Sequence, residues 1–221
     1  MKILLASASP ADVRWAADHG LADGVVTTPG LLAAERAGDA AAHRELLGEL
    51  ARLVNAPVYA SVASVDPADI YRDGRELARV ADNVVVQVPL VDDAVVAVRR
   101  LAGEGVRVAA TLVFSAAQAL LAAKAGATFV SPFVGRHDDV GFNGMDLIAD
   151  IRLIYDNYDY TTEILVASVR HPMHVVEAAK IGADVMTAPP KIIHQLFKHP
   201  LTDNGVAAFL KDWEATGQSI V

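Results

Sequence analysis

Short β-branched apolar runs recur along this chain at a regular interval, and an alanine-rich stretch of helical spacing separates each from the next. That alternation is the pattern of buried parallel strands joined by crossover helices, and it limits the fold more than any other feature. The runs are Lys2–Ala6, Gly24–Thr27, Val58–Val62, Asn83–Val88, Val106–Thr111, Thr128–Phe133, Ile164–Ala167 and Asp184–Thr187. Ser9-Pro10, Asp66-Pro67 and His171-Pro172 supply helix starts ahead of Ala11–Asp18, Ala68–Val80 and Met173–Ile181, because proline suits the first helical position. Gly103, Gly105, Gly126 and Gly182 stand where helices should stop.

Eight such runs in 221 residues leave about 27 residues per unit, enough for the ~200 residues that a (β/α)8 TIM barrel needs. A doubly wound open sheet is the rival. The barrel is preferred because Ala6-Ser7-Ala8-Ser9-Pro10 follows the first strand in place of a glycine-rich phosphate loop. The expectation is an α/β fold, with one barrel domain over residues 1–221 and an additional C-terminal helix. That helix carries Val206, Phe209, Leu210 and Trp213 as an apolar stripe, which packs on the outside of its own barrel or on a neighbouring subunit.

Charge and cysteine content narrow the chemistry. Nineteen basic residues against 27 acidic ones give a net charge of −8, and the basic residues form no run, so neither nucleic acid nor an anionic membrane is an expected partner. With no cysteine, thiol catalysis, thiolate-bound zinc and disulfides drop out. Met1-Lys2 leads into a short apolar run and then a Ser-Pro turn, unlike a secretory signal, and no apolar stretch reaches membrane-spanning length. A cytoplasmic protein is expected.

In such a barrel the reacting groups stand at the carboxyl ends of strands, here Ala6, Thr27, Thr28, Ser61, Gln87, Thr111, Phe133, Arg136, Ser168 and Arg170. Gln87 interrupts Val84-Val85-Val86-Gln87-Val88-Pro89. An unpaired buried amide costs about 1–3 kcal/mol, so Gln87 either ties strand ends together or meets a ligand. Arg136, Ser168 and Arg170 offer two guanidinium groups and a hydroxyl, a donor set suited to a phosphate monoester; the alternative is ion pairing with Asp138, Asp139 or Glu163 at the rim. His137 and His171 each follow one of these arginines and are the candidate proton carriers, unless they are merely solvated or cap helices. His171 and His174 lie three apart without a carboxylate at ligand spacing, so no metal or other cofactor is expected. The acid pairs Asp92-Asp93 and Asp138-Asp139 open loops or helices, where turn and dipole chemistry accounts for them.

Several strings resemble the small transaldolases and fructose-6-phosphate aldolases: Gly24-Val25-Val26-Thr27-Thr28-Pro29, Val85-Val86-Gln87-Val88-Pro89, Ala116-Ala117-Gln118, Ala125-Gly126-Ala127, Ser131-Pro132-Phe133-Val134-Gly135-Arg136, Ala167-Ser168-Val169-Arg170 and His199-Pro200-Leu201-Thr202-Asp203-Asn204-Gly205. The resemblance spans nearly the whole chain. It implies the same barrel, pentameric or decameric homo-oligomers, and phosphorylated ketoses and aldehydes as substrates. Members of that family form a Schiff base on a lysine of the fourth strand. The resemblance also matches Thr111, Arg136, Ser168 and Arg170 to the family's hydroxyl and phosphate-binding positions.

Four matched positions depart from that pattern. Gln87 stands at the lysine, Ala6 at a first-strand aspartate, Thr28 at an asparagine and Ser61 at a third-strand Glu or Gln. An amide nitrogen, its lone pair delocalised, cannot add to a ketone. The resemblance with these departures implies an enzyme acting on a phosphorylated sugar or related small carbonyl compound by isomerase- or lyase-type proton transfer, without a Schiff base. Gln87, Thr111, His137 and His171 are its expected catalytic groups, and Thr27, Thr28, Ser61, Phe133, Arg136, Ser168 and Arg170 its substrate contacts. The alternatives are a non-catalytic sugar-phosphate-binding pseudoenzyme and a class I aldolase using a relocated amine, Lys191.

Overall fold

The computed structural model describes residues 1–36 and 38–217; the remainder of the expected span 1–221 lies outside the described residues. Eight parallel strands close into a ring in sequence order, β1 Lys2–Ala6, β2 Val25–Val26, β3 Val58–Ser61, β4 Val84–Pro89, β5 Val108–Val113, β6 Phe129–Pro132, β7 Glu163–Val166 and β8 Val185–Ala188. β1 completes the closure by pairing with β8 from Lys2↔Val185 to Leu5↔Ala188. The expected (β/α)8 barrel is the observed fold.

The helices between strands are α1 Pro10–Asp18, α2 Pro29–Glu35, α3 Ala40–Leu53, α4 Pro67–Ala78, α5 Ala94–Gly103, α6 Ala116–Lys124, α7 Val134–Asp139, α8 Gly144–Asn157 and α9 Pro172–Ile181. Two more follow β8, α10 Pro190–Gln195 and α11 Pro200–Thr216. Start signals act locally: Asp66 accepts from the amides of Ala68 and Asp69 at the head of α4, satisfying donors that a helix otherwise leaves orphaned. Gly182 ends α9 in the left-handed conformation, φ 86°. The C-terminal helix exists, yet α11 has no buried residue, and Val206, Phe209, Leu210 and Trp213 stand exposed. Its stripe is not covered by its own barrel. Among the described residues, no helix is long and apolar enough to cross a membrane.

Strand alternation divides the core into two layers. Val84, Val86 and Val88 point outward into the shell between strands and helices, whereas Val85 points into the barrel with Leu4, Val26, Tyr59, Ala109, Phe129, Leu165 and Val185. Successive side chains on a strand take opposite faces, so the residue two positions beyond each inward apolar residue comes up beneath the mouth. Those residues are Ala6, Thr28, Ser61, Gln87, Thr111, Ser131, Ala167 and Thr187, and they form the floor of the site.

Candidate active site

Parallel strands bring all their carboxyl ends to one mouth, and there a cavity of about 390 Å³ opens, within the usual range for small-molecule sites. It gathers seven of the expected residues: Thr28, Ser61, Gln87, Thr111, Phe133, Arg136 and Ser168. Thr27, His137, Arg170 and His171 do not line it. Thr27 has the opposite strand parity, and its hydroxyl is buried as a donor to the Tyr59 carbonyl at 2.7 Å.

Gln87 stands in the floor, 4% exposed, in register with Ser61 on one side and Ala109 on the other. Its Nε2 donates to the Thr27 carbonyl at 2.8 Å and to Ser61 Oγ at 3.2 Å. Both amide protons are thereby held, one by the residue that follows β2 and one by the last residue of β3, and these acceptors orient the amide. Oε1 has no protein partner among the described residues and remains able to accept from a ligand. The Gln87 amide therefore ties strand ends together, the first of the two readings from sequence, and the residue also lines the cavity.

Two non-glycine residues at the rim adopt left-handed backbone, Leu112 at φ 58° and Ser168 at φ 61°, a conformation costing of order 1–3 kcal/mol. Leu112 follows Thr111 where the β5–β6 register shifts. Ser168 follows a bridge joining Phe133 to Ala167. Its backbone is pressed against Gly135, where a Cβ would lie only 2.3 Å from the Ser168 carbonyl oxygen. This close approach brings the Arg136 segment and the Ser168 turn together.

The two arginines part company. Arg136 lines the cavity and has no ion-pair partner among the described residues. Arg170 pairs with Asp139 at 2.7 Å instead, the rim arrangement weighed from sequence. Both partners are about half exposed, so the pair is worth at most about 1 kcal/mol. His137 donates from Nε2 to the Phe114 carbonyl at 2.9 Å and sits between the rings of Phe114 and Phe142.

Behind the rim lies a cluster that the sequence did not reveal. His174, 3% exposed, accepts the Arg170 backbone N–H at Nδ1 (3.3 Å) and donates from Nε2 to Asp138 Oδ2 (3.0 Å). Asp138 Oδ1 accepts from the Gly144 amide, and the His171 ring stacks on His174 at 3.7 Å. Burial, then the neighbouring His171, lowers the His174 pKa. Ligand atoms of Asp138, His171 and His174 lie within 4.8 Å of one another, so a carboxylate does accompany the histidines. Yet with Nδ1 accepting an amide proton, neutral His174 carries its own proton on Nε2, the atom a metal would need. The donor pattern fits a hydrogen-bonded brace rather than a metal site.

The family model described as Transaldolase/Fructose-6-phosphate aldolase matches residues 9–220. The chain belongs to this transaldolase/aldolase family. A probable transaldolase of Rhizorhabdus wittichii is 53% identical over 221 residues, covering both chains completely. One from Sphingopyxis alaskensis is 55% identical over 220 residues, and one from Thermodesulfovibrio yellowstonii is 47% identical, covering 97% of this chain and 98% of its own.

In this transaldolase-family chain, no lysine lines the cavity among the described residues; Lys191 is exposed in the first turn of α10. Sequence reasoning also missed Ser131 and Thr187, both buried hydroxyls of the cavity wall. Strand parity would have found them, two residues beyond Phe129 and Val185. Thr187 Oγ1 is buried without a hydrogen-bond partner, an orphan that a bound hydroxyl or water would satisfy.

Proposed function

We propose that this transaldolase-family protein holds a phosphorylated sugar or related small carbonyl compound, its phosphate on Arg136 and Ser168, and acts without a lysine Schiff base. The observation that carries the reading is the pairing of an uncompensated guanidinium at one wall with an amide, Gln87, in the floor where the family resemblance calls for an amine. Hydroxyls of Thr28, Ser61, Thr111, Ser131 and Thr187 ring that amide and suit a polyol. Phe133 supplies an apolar face, and Thr27 acts indirectly by holding Gln87. Arg170 reaches the phosphate only by leaving Asp139.

The chemistry open to this site is isomerisation, dehydration or retro-aldol cleavage of a substrate already activated. Gln87 Oε1 accepts from a substrate hydroxyl while Thr111 donates to the reacting oxygen. His137 and His171 stand outside the cavity wall, so a proton exchanged with either passes through water or a substrate hydroxyl. The test is calorimetric titration with sugar phosphates, followed by solvent-deuterium incorporation into the bound sugar. Binding lost in Arg136→Ala, with deuterium incorporated by the wild type, supports the reading; no phosphate-dependent binding overturns it.

A second reading, a sugar-phosphate-binding pseudoenzyme, is favoured by one feature: Arg136 is the only ionisable side chain in the cavity lining among the described residues. Binding without deuterium incorporation would select it. Borohydride trapping with dihydroxyacetone, mapped to Lys191, would instead establish a relocated amine. We also propose the homo-oligomer that the resemblance implies, pentamer or decamer, with the apolar stripe of α11 covered by a second copy.

A further inference from the structure

The cavity does not end at Ser61. A second chamber of about 240 Å³ continues from it between α2, α3 and α4, and the two share Pro29, Ser61 and Val62. Leu32, Leu47 and Leu77 give this chamber a carbon floor, while His43, Arg44, Asp73 and Glu76 supply its polar walls. His43 Nε2 is buried with no hydrogen-bond partner. Arg44 has no ion pair among the described residues, whereas Asp73 and Glu76 are engaged by the exposed Arg72 (3.0 Å) and Arg79 (2.8 Å).

In a ring of eight strands, β3 and β7 stand opposite one another. Strands about 4.8 Å apart and tilted by about 36° give a barrel roughly 15 Å across. Ser168 follows β7 and Ser61 ends β3, so a phosphate at Arg136 and Ser168 lies across the barrel axis from the second chamber. Ser61 Oγ lies 3.2 Å from Gln87 Nε2, so a chain that crosses from that phosphate to Gln87 arrives at the entrance of the chamber, and only carbons beyond that point can enter it.

We propose that the second chamber binds the hydroxylated far end of the substrate, so that the protein selects sugar phosphates extending several hydroxylated carbons beyond the carbon over Gln87. This rests on the phosphate placement argued under Proposed function. A hydroxyl both donates and accepts, so a polyol satisfies His43 Nε2 in either tautomer, the Arg44 donors and the Asp73 and Glu76 oxygens together. A second phosphate or a carboxylate would meet Arg44 but face two carboxylates of its own sign. An alkyl tail would match the leucines and leave His43 unpaired, a penalty that sites built for hydroxyls use to reject such analogues.

The test compares glycerol 3-phosphate, glucitol 6-phosphate and glucitol 1,6-bisphosphate by calorimetry on the wild type, Ala63→Trp, His43→Leu and Arg136→Ala. Ala63 is an exposed residue of the chamber wall, so tryptophan there fills the space without entering the core. The wild type should bind glucitol 6-phosphate at least tenfold more tightly than glycerol 3-phosphate. Both Ala63→Trp and His43→Leu should abolish that advantage while leaving glycerol 3-phosphate unchanged, and Arg136→Ala should weaken both ligands. Equal affinities in the wild type, or an advantage surviving both chamber variants, overturn the proposal. Tighter binding of the bisphosphate overturns its polyol chemistry. If glycerol 3-phosphate itself fails to bind, the phosphate reading has failed; if it binds and glucitol adds nothing, only the chamber has.

Discussion

Placing an amine where Gln87 stands separates carbonyl capture from the rest of aldol chemistry. In Gln87→Lys the side chain is one atom longer, so the ammonium would stand about one bond beyond the Nε2 position, still beside the acceptors that Nε2 now uses, the Thr27 carbonyl and Ser61 Oγ. Those acceptors serve two of its three protons. The cavity lining offers no carboxylate and one cation, Arg136, so desolvation and like charge both lower the amine's pKa. The neutral amine then adds to a ketone, water leaves, and borohydride reduces the resulting C=N bond to a stable adduct. Cleavage further requires a base to remove the substrate hydroxyl proton and an acid to return one. Ala6, Thr28 and Ser61 provide neither. Positioned acid–base groups contribute about 10²–10⁴ in rate, or about 3–5 kcal/mol at 1.36 kcal/mol per decade. Measured against an ordinary kcat of about 10 s⁻¹, turnover of fructose 6-phosphate should stay near 10⁻³–10⁻¹ s⁻¹. An assay coupling glyceraldehyde 3-phosphate release to nicotinamide reduction reads this directly, and adding Ala6→Asp should restore one or two decades. Turnover of several per second from Gln87→Lys alone would refute the reasoning.

Gly135→Ala should loosen the cradle, because its Cβ would lie 2.3 Å from the Ser168 carbonyl; a tenfold or greater loss of glycerol 3-phosphate affinity by calorimetry is expected, and unchanged affinity would show that the close approach does not matter. His174 has a folded pKa below the ordinary imidazole value of 6.5, so between that lowered value and 6.5 the unfolded chain binds more protons than the native one. Stability should therefore fall as pH drops below 6.5 through this window and level off above it; urea midpoints at pH 5.5 and 7.5 should differ less in His174→Gln than in the wild type. Ending the chain at His199 removes α11, which has no buried residue of its own; light scattering should show a smaller particle while the barrel melts at a nearly unchanged temperature.

Much of the architecture follows from local pattern because apolar period and start signals are properties of short segments. The runs from Lys2 and Val58 yield strands at those places, and Pro10, Pro67 and Pro172 open helices as expected. The expected strand Gly24–Thr27 shrinks to the pair Val25–Val26, since its neighbours on β1 and β3 pair with only those two residues. Within the site, Gln87 announced itself by interrupting a buried run, whereas Ser131 and Thr187 sit in runs where hydroxyls are unremarkable and only inward parity distinguishes them.

From its own order of residues, this chain determined the number and direction of its strands, and with them the mouth at which polar side chains must gather. Alternation and crossover length are enough for that, because an apolar run joined to the next by a crossover helix lies parallel to it and sends its carboxyl end the same way, whether the sheet stays open or closes. Pairings between distant segments were decided in three dimensions: Arg170 with Asp139, His174 with Asp138, and the second chamber behind Ser61. Segments some thirty residues apart meet there because neighbouring strand-helix units pack side by side. The left-handed turn at Ser168, which lies against Gly135 and so beside the Arg136 segment, is likewise a tertiary feature that no periodicity encodes.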